Sequence, residues 1–338
     1  MADAAQVRDT PLSNRLEWLD AARGIGIVLV VYAHGARALY DVLPNLAAFQ
    51  RIDQIVYAFH MPLFFFLAGL VSTSSLSRSR AAFLRGKVTT VVYPYFVWSI
   101  AYWALELLFQ EYVNSPVEPD AIITILWFPI EHLWFLYVLF LCQVIAALLW
   151  PRLIALVLLS AWILLGPVPP INVPQLWVQL PWFVAGLLMA PIMLKREANA
   201  ARRAGFSLAA AALFALAAAG AFWSGLPARL ESFLLAGVGI SLTIALATGL
   251  SGSRGLTYLG SASLSIYLLH TIFAAGVREF FEAAYPIPPL IMLAVTCVAG
   301  LLMPLIVHEA ARRTGLSLYL GLGKMASASP QDQRRAIA

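Results

Sequence analysis

The chain has 338 residues, of which 61% are hydrophobic and 12% are charged, and its mean hydropathy is +0.82. Soluble domains carry about 25% charged residues, so the composition excludes an ordinary soluble protein and indicates a polytopic membrane protein. The formal net charge is +5. Because basic residues gather in the cytoplasmic loops of membrane proteins, this charge does not predict nucleic acid as a partner.

Apolar runs follow one another along the whole chain, and no loop is long enough to fold alone. We predict an all-α membrane protein with about ten transmembrane helices, since about twenty residues at 1.5 Å each cross a hydrocarbon core. The fifth run is the shortest, and the run 121–130 is too short to span and is expected to be interfacial or re-entrant. The predicted spans are 23–42, 54–74, 88–110, 132–150, 153–169, 175–194, 205–224, 231–250, 262–281 and 287–307.

Lys and Arg residues set the orientation of these spans. With the N-terminus in the cytoplasm, 18 of the 22 basic residues fall on the cytoplasmic side and 4 on the outer side, which predicts that both termini are cytoplasmic. The predicted organisation is a cytoplasmic segment 1–22, a ten-helix membrane domain 23–308 and a cytoplasmic tail 309–338. The tail is polar towards its end and is expected to be partly disordered.

Histidines inside the apolar runs are the first candidates for chemistry, because ionisable groups in a bilayer are costly and usually functional or paired. His34 lies eleven residues after Arg23, about 16 Å further along a helix, which predicts a position near the midplane. His60 enters the second span from the outer side and is expected at a similar depth. His270 lies well inside the ninth span, and a packing role remains open for all three histidines.

Other ionisable residues lie at the ends of spans, where a structural or interfacial role is favoured. His132 and His308 are expected at the membrane interface, and Glu106 is not assigned a role. Asp20 with Arg23 and Arg37 with Asp41 have the spacing of helical ion pairs. Glu131 opens the fourth span from the outer side.

Several catalytic and binding motifs are missing from the sequence. It contains no H-E-x-x-H or clustered Cys and His pattern, so no metal is expected. It contains no G-x-S-x-G, Walker or Rossmann glycine pattern, which argues against a serine hydrolase, an ATP-driven pump and a dinucleotide enzyme. The only cysteines, Cys142 and Cys297, lie in apolar runs and are expected to be packing residues.

The stretch 75–87, "SLSRSRAAFLRGK", is the best candidate for an anion site. Arg78, Arg80, Arg85 and Lys87 lie within ten residues, and guanidinium groups match phosphate oxygens well. The alternative, that these are ordinary positive-inside charges, remains open.

A set of segments in order resembles the integral-membrane family called acyltransferase 3, over about residues 15–310. "RLEWLDAARGIGIVLVVYAH" resembles its first helix, whose hallmark is an arginine, ten residues and a histidine, here Arg23 and His34. "FHMPLFFFLAGLV" is similar to its second helix, in the variant of fucose 4-O-acetylase-like proteins. Later segments with the same resemblance are "RSRAAFLRGKVTTVVYPYFVW", "EHLWFLYVLF", "LPWFVAGLL" and "YLGSASLSIYLLH".

This resemblance implies a stand-alone transferase that takes an acyl group from cytoplasmic acyl-CoA, with acetyl-CoA expected. The implied acceptor is a hydroxyl of a carbohydrate or lipid-linked sugar at the membrane or its outer side, and the expected location is the inner membrane of a bacterium. The acceptor's identity and the acyl group stay open.

The residues and the resemblance together predict His34 as the general base or, in a two-step variant, as the acyl-accepting nucleophile. Glu131 is predicted to orient either His34 or the acceptor hydroxyl, and His60 is a second catalytic candidate. Arg23, Arg80, Arg85 and Lys87 are predicted to hold coenzyme A. The alternative function is a transporter or flippase for a polysaccharide or lipid-linked sugar, with the histidines as a proton relay.

Overall fold

The computed structural model describes residues 16–40, 42–43, 46–77, 79–110, 118–167, 173–194, 200–225 and 227–322, and all regular elements in these ranges are helical. A π-helical segment, Val88–Val92, joins α3 to α4, and a 3₁₀ turn, Glu131–Leu133, opens α6. The α-helices are α1 Glu17–Arg37, α2 Leu46–Leu76, α3 Arg80–Lys87, α4 Tyr93–Leu108, α5 Ala121–Thr124, α6 Trp134–Leu149, α7 Leu153–Leu165, α8 Pro174–Met193, α9 Ala200–Ser224, α10 Ala228–Gly249, α11 Arg254–Ser261, α12 Ser263–Ala284 and α13 Pro289–Thr314.

Each of the ten predicted spans corresponds to a helix in the expected order, which confirms an all-α polytopic membrane protein. Within the described ranges, nine helical segments are long and apolar enough to cross a membrane. The tenth, α7, has only 13 residues, in agreement with the weakness of the fifth predicted run. The run 121–130 contains only the four-residue α5, so it does not span.

Helices α1 and α2 begin earlier than hydropathy predicts, and ion pairs accommodate the charged residues that they include. Helix α1 begins at Glu17, and the Arg23 guanidinium contacts the Asp20 carboxylate at 3.1 Å, as the i, i+3 spacing predicts. Helix α2 begins at Leu46 and includes Asp53, which is buried and bound by Arg37. The predicted partner of Arg37, Asp41, lies outside the described residues.

The outer end of α1 also differs from the prediction. The apolar run continues beyond residue 40, but α1 ends at Arg37, and the chain then turns so that Leu39 and Leu43 are buried together with Leu293 of α13. His34 therefore belongs to the last turn of α1. The predicted span 23–42 places His34 near its middle, whereas the observed helix places His34 close to its end.

Helix α11, within a predicted cytoplasmic loop, packs closely against α1. A Cβ atom at Gly260 would lie 1.7 Å from the Asp20 carbonyl oxygen, and one at Gly24 would lie 2.3 Å from the Leu256 carbonyl oxygen. The two backbones approach this closely because both positions lack a side chain, as at many helix contacts in membranes. This contact fixes the end of α1 that carries Arg23.

The segment that follows α13 packs on the first turns of α4. The Tyr93 hydroxyl donates to the Tyr319 carbonyl oxygen at 2.8 Å, and the Trp98 indole N–H donates to the Leu320 carbonyl oxygen at 2.9 Å. Leu322 is buried. The tail beyond this point, 323–338, lies outside the described residues, as do residues 1–15 and Arg78.

Candidate functional site

A cavity of about 860 Å³ opens where α1 ends and between α4, α12 and α13. It lies at the ends of these helices that the distribution of Lys and Arg predicts to face outwards. Its lining combines aliphatic residues with charged and polar groups. The lining includes His34, Arg37, Tyr102, Glu106, Glu131 and Arg278.

His34 lies in the wall of this cavity with one ring nitrogen turned into its own helix. The Nδ1 atom lies 2.9 Å from the Val30 carbonyl oxygen. Because a carbonyl only accepts hydrogen bonds, this contact assigns the proton to Nδ1 and leaves a lone pair on Nε2. The side chain is half-buried, so the ring is both held in place and accessible from the cavity.

Three histidine rings meet at the inner end of the cavity. The ring centroids are 4.9 Å apart for His34 and His270, 5.1 Å for His132 and His270, and 6.0 Å for His34 and His132, all with edge-to-face geometry. His270 and His132 are buried. The sequence alone favoured an interfacial position for His132, but it lies inside the protein with the other two rings.

One backbone carbonyl orients the two buried histidines. The Tyr267 carbonyl oxygen accepts from Nδ1 of His270 at 2.8 Å and from Nε2 of His132 at 3.0 Å. The Tyr267 hydroxyl in turn donates to the His132 carbonyl oxygen. The other ring nitrogens, His270 Nε2 and His132 Nδ1, have no hydrogen-bond partner among the described residues. Both rings are therefore held in fixed orientations beside His34.

Tyr102 of α4 closes the cluster on the cavity side. Its hydroxyl lies 2.9 Å from the Leu268 carbonyl oxygen and 2.6 Å from Thr271 Oγ1, and its ring meets His132 edge to face at 5.2 Å. Tyr102 and Thr271 also line the cavity. The tyrosine thus joins α4 to α12 and supports the histidine cluster.

Three glutamates line the same cavity, and two of them, Glu106 and Glu131, form no ion pair with the described residues. Glu131 is exposed in the cavity wall, and its backbone φ is +47°, a left-handed conformation that is uncommon for a residue other than glycine and costs energy. Glu106 is only 7% exposed and forms no hydrogen bond or ion pair with the described residues. His34 and Glu131 line one cavity, and the predicted orienting role of Glu131 stays a prediction.

The arginines of the cavity are held by acidic partners. Arg37 binds Asp53 through both carboxylate oxygens, with its closest contact at 2.8 Å, and its guanidinium lies over the Tyr57 ring. Arg278 contacts Glu279 at 2.8 Å and Glu282 at 3.8 Å. Both positive charges are thus balanced within the described part of the chain.

His60 lies outside the described lining of this cavity. It is buried, and its Nδ1 atom lies 2.8 Å from the Val56 carbonyl oxygen, while its ring meets Tyr57 at 4.7 Å. Its Nε2 atom has no hydrogen-bond partner among the described residues. Among the described residues His60 makes no ring contact with the other three histidines, although it is close enough to His34 to interact with it electrostatically, and its predicted catalytic role stays a prediction.

The predicted donor residues lie at the other ends of these helices. Arg23 and His34 share one face of α1, since eleven residues make about three helical turns. Arg80 donates to the Trp150 carbonyl oxygen, and Lys87 lies over the Phe83 ring. Arg85 is exposed and forms no hydrogen bond or ion pair with the described residues. The π-helical segment Val88–Val92 follows directly, a feature that often marks functional sites.

No group of three or more His, Cys, Asp or Glu side chains among the described residues is arranged to hold a metal ion. Cys142 is fully buried and Cys297 is half-buried, and neither forms a disulfide. The chemistry that this arrangement can perform without any other group is acid–base or nucleophilic chemistry at the His34 ring.

The fold and the site define a multi-pass membrane protein with a histidine-lined cavity at one end of its helices. The model of the acyltransferase 3 family, described as an acyltransferase domain, matches residues 16–309, and the chain belongs to this family. A search of the curated proteins and a search of the solved structures each find no match. The protein is therefore a membrane acyltransferase.

Sequence reasoning undervalued two residues of the site, His132 and His270. Both lie in segments that resemble the family, "EHLWFLYVLF" and "YLGSASLSIYLLH". Their contacts join α6 to α12 and α12 to α1, and such contacts do not follow from spacing along the chain. The signal available in the sequence was the position of both histidines in segments that resemble the family.

Proposed function

We propose that the protein is an O-acyltransferase that moves an acyl group, with acetyl expected, from cytoplasmic acyl-CoA to a carbohydrate or lipid-linked sugar hydroxyl, in the inner membrane of a bacterium. The observation that carries the proposal is the geometry of His34. Its Nδ1 proton is held by the Val30 carbonyl, and its Nε2 lone pair is available at a cavity of about 860 Å³. This volume is in the range of small-ligand sites.

The chemistry requires a base, because a sugar hydroxyl is a poor nucleophile until its proton is removed. In the proposed reaction, Nε2 of His34 takes the hydroxyl proton while the oxygen attacks the thioester carbonyl. The carbon–sulfur bond then breaks, and the proton passes from Nε2 to the departing thiolate. A neutral imidazole is suited to both transfers.

A two-step variant uses the same atom as a nucleophile. Nε2 attacks the thioester carbonyl, and the carbon–sulfur bond breaks to release the thiolate, which takes a proton from water. The acyl-imidazolium then transfers its acyl group to the acceptor hydroxyl, whose proton passes to water as Nε2 is set free. In either variant, Glu131 is proposed to bind the acceptor hydroxyls from the facing cavity wall. An acyl-histidine trapped by rapid acid quench and detected by mass spectrometry would distinguish the two variants.

The basic residues at the other end of the protein fit the phosphates of coenzyme A. Arg85 is exposed and has no acidic partner among the described residues, as expected of a side chain that binds a ligand from water. Arg23 lies about 16 Å from His34 along one helix face, a separation that an extended pantetheine arm can bridge. Arg80 and Lys87 complete the proposed donor site.

The test uses inverted membrane vesicles from cells that lack the gene and carry the full chain on a plasmid. Radiolabelled acetyl-CoA is supplied to the cytoplasmic face, and label that mild alkali releases from membrane glycans is counted as O-ester. His34→Gln should lower the initial rate by about 10²- to 10⁴-fold, the usual contribution of a general base. An H34Q protein that is inserted normally and labels at the wild-type rate would overturn the proposal.

The matched control is His308→Gln. His308 is a histidine of α13 whose Nδ1 atom lies 2.7 Å from Ser265 Oγ, outside the described cavity lining. H308Q should retain the labelling rate if the loss in H34Q is specific. A transporter would move a glycan without transferring label, so the absence of alkali-labile label in wild-type vesicles would favour that alternative.

A further inference from the structure

We propose that the cavity accepts a neutral or amino sugar and excludes an anionic one, such as a uronic acid or a phosphorylated sugar. The proposal rests on the proposed acyl transfer, which it deepens by naming the class of acceptor. It follows from the charges of the lining and from one buried carboxyl group that lacks a partner.

The first observation is the balance of charge around the cavity. Five charged side chains line it: Arg37, Glu106, Glu131, Arg278 and Glu279. Both arginines already bind carboxylates, Arg37 through Asp53 and Arg278 through Glu279. The described lining therefore offers an incoming anion no positive charge that is not already neutralised.

The second observation is that Glu106 and Glu131 have no positive partner within the described residues. Glu106 is only 7% exposed, yet it is one of the residues that line the cavity. Glu131 is exposed in the facing wall and lies close enough to interact with Glu106 electrostatically. A buried polar group without a partner is costly, and a ligand that donates hydrogen bonds would relieve this cost.

The chemistry of the ligand follows from these two groups. Ionised carboxylates only accept hydrogen bonds, so they match sugar hydroxyls and bind an ammonium group more strongly. A carboxylate or phosphate on the acceptor would meet like charge in a cavity whose protein walls make repulsion stronger than in bulk solvent.

The first test measures the charge preference of the cavity without any acyl transfer. Ala275, a cavity-lining residue of α12, is replaced by cysteine in the full chain with Cys297→Ser, since Cys142 is fully buried. The rates of modification by a cationic and an anionic methanethiosulfonate are compared, with Ser224→Cys at the exposed end of α9 as the reference. The cationic preference is the ratio of the cationic rate to the anionic rate. This ratio should be at least about tenfold greater at position 275 than at position 224.

The cationic preference at position 275 should fall towards the ratio measured at position 224 when Glu106→Gln and Glu131→Gln are added. A ratio at position 275 that equals the reference, or an anionic reagent that reacts faster, would overturn the proposal. So would a cysteine at position 275 that neither reagent reaches, because the cavity would then be closed to small polar molecules.

The second test compares three glycosides of similar shape that are neutral, cationic and anionic. Methyl glucoside, methyl glucosaminide and methyl glucuronide are enclosed in the lumen of the inverted vesicles as these form, because the cavity is predicted to face the lumen, and they act there as competitors of glycan labelling. The glucuronide should inhibit at least about tenfold more weakly than the other two, and Glu106→Gln should narrow this difference. A glucuronide that inhibits as well as the glucoside, or three glycosides that all fail to inhibit, would contradict the proposal.

The two tests separate the failure of this proposal from the failure of the proposed function. Loss of the cationic preference with normal glycan labelling would refute charge selection alone. Strong cationic preference in a protein that never transfers label would refute the transferase reaction and would leave a cavity that binds neutral or cationic sugars.

Discussion

His34 and His270 meet edge to face with 4.9 Å between their ring centroids, although they lie on α1 and α12. His270 is fully buried, and its Nδ1 atom is fixed by the carbonyl oxygens of Tyr267 and Ile266. His34 is half-buried and faces the cavity. The buried ring therefore acts as a rigid wall that limits the rotation of the ring proposed to react.

If His270 acts as a positioning residue, the shape of its ring matters more than its nitrogens. His270→Phe should retain the labelling rate within about threefold, whereas His270→Ala should lower kcat by up to about 10²-fold, the effect of a misplaced reacting group. The apparent KM for acetyl-CoA should change little in both variants. Equal losses in H270F and H270A would mean instead that a ring nitrogen takes part in proton transfer.

Glu131 combines a cavity-lining carboxyl group with a left-handed backbone, which predicts a conflict between stability and activity. A residue with a Cβ atom costs about 1–2 kcal/mol in this region, whereas glycine does not. Glu131→Gly should therefore be more stable than Glu131→Ala by about 1 kcal/mol in reversible unfolding in detergent. Both variants should lose labelling activity because both lack the carboxyl group. An E131G protein that is less stable than E131A would show that φ +47° carries no strain.

The helical membrane fold could be predicted because its main signal is local. Twenty apolar residues must satisfy their backbone in a helix when they cross lipid, so spans are visible in the sequence without any tertiary information. The ends of the helices were less predictable. Arg37 of α1 pairs with Asp53, and this pairing allows the charged Asp53 to lie within α2. Such pairing is a tertiary property.

The candidate site was predictable only in part for the same reason. His34 was recognisable because the Arg23–His34 spacing is a property of one helix. The cluster of His34 with His132 and His270 depends on how α1, α6 and α12 meet. Glu106 gave no signal at all, since nothing in its neighbours along the chain indicates that it lines a cavity.

The close contact of α1 with α11 predicts a large effect from a single methyl group. Gly260→Ala would place a Cβ atom 1.7 Å from the Asp20 carbonyl oxygen, so the two helices must separate. We expect a loss of about 1–3 kcal/mol in the free energy of unfolding and a weaker donor site, because Arg23 lies on the displaced part of α1.

The matched control for this variant lies in the same short helix. A Cβ atom at Gly255 would have no neighbour within 4 Å, so Gly255→Ala should leave stability unchanged or raise it through better helix propensity. The unfolding temperatures of the two variants in one detergent provide the comparison. Equal temperatures would contradict the contact between the two backbones.

The Arg37–Asp53 pair predicts that the loss of stability on replacing one residue depends on whether the other is present. Asp53 has a side-chain exposure of only 8%, so Arg37→Ala leaves a buried carboxylate without its partner. We expect a loss of about 2 kcal/mol, below the range for fully buried pairs because Arg37 itself is 42% exposed. Asp53→Asn in the Arg37→Ala background should recover part of this loss, as a double-mutant cycle measures. Additive losses would show that the pair contributes nothing as a unit.

The proposed donor site predicts a variant in which the KM for acetyl-CoA rises while kcat does not change. Arg85 is exposed and lies next to the π-helical segment, so its removal should weaken phosphate binding without moving His34. Arg85→Ala should raise the apparent KM for acetyl-CoA by about tenfold, the value of one charge-assisted hydrogen bond, with kcat unchanged. Arg312→Ala is the control, since Arg312 binds Glu309 at the same side of the protein and should leave both constants unchanged. A normal KM in R85A would move the phosphate site elsewhere, whereas a lower kcat with an unchanged KM would mean that Arg85 acts on the reacting groups.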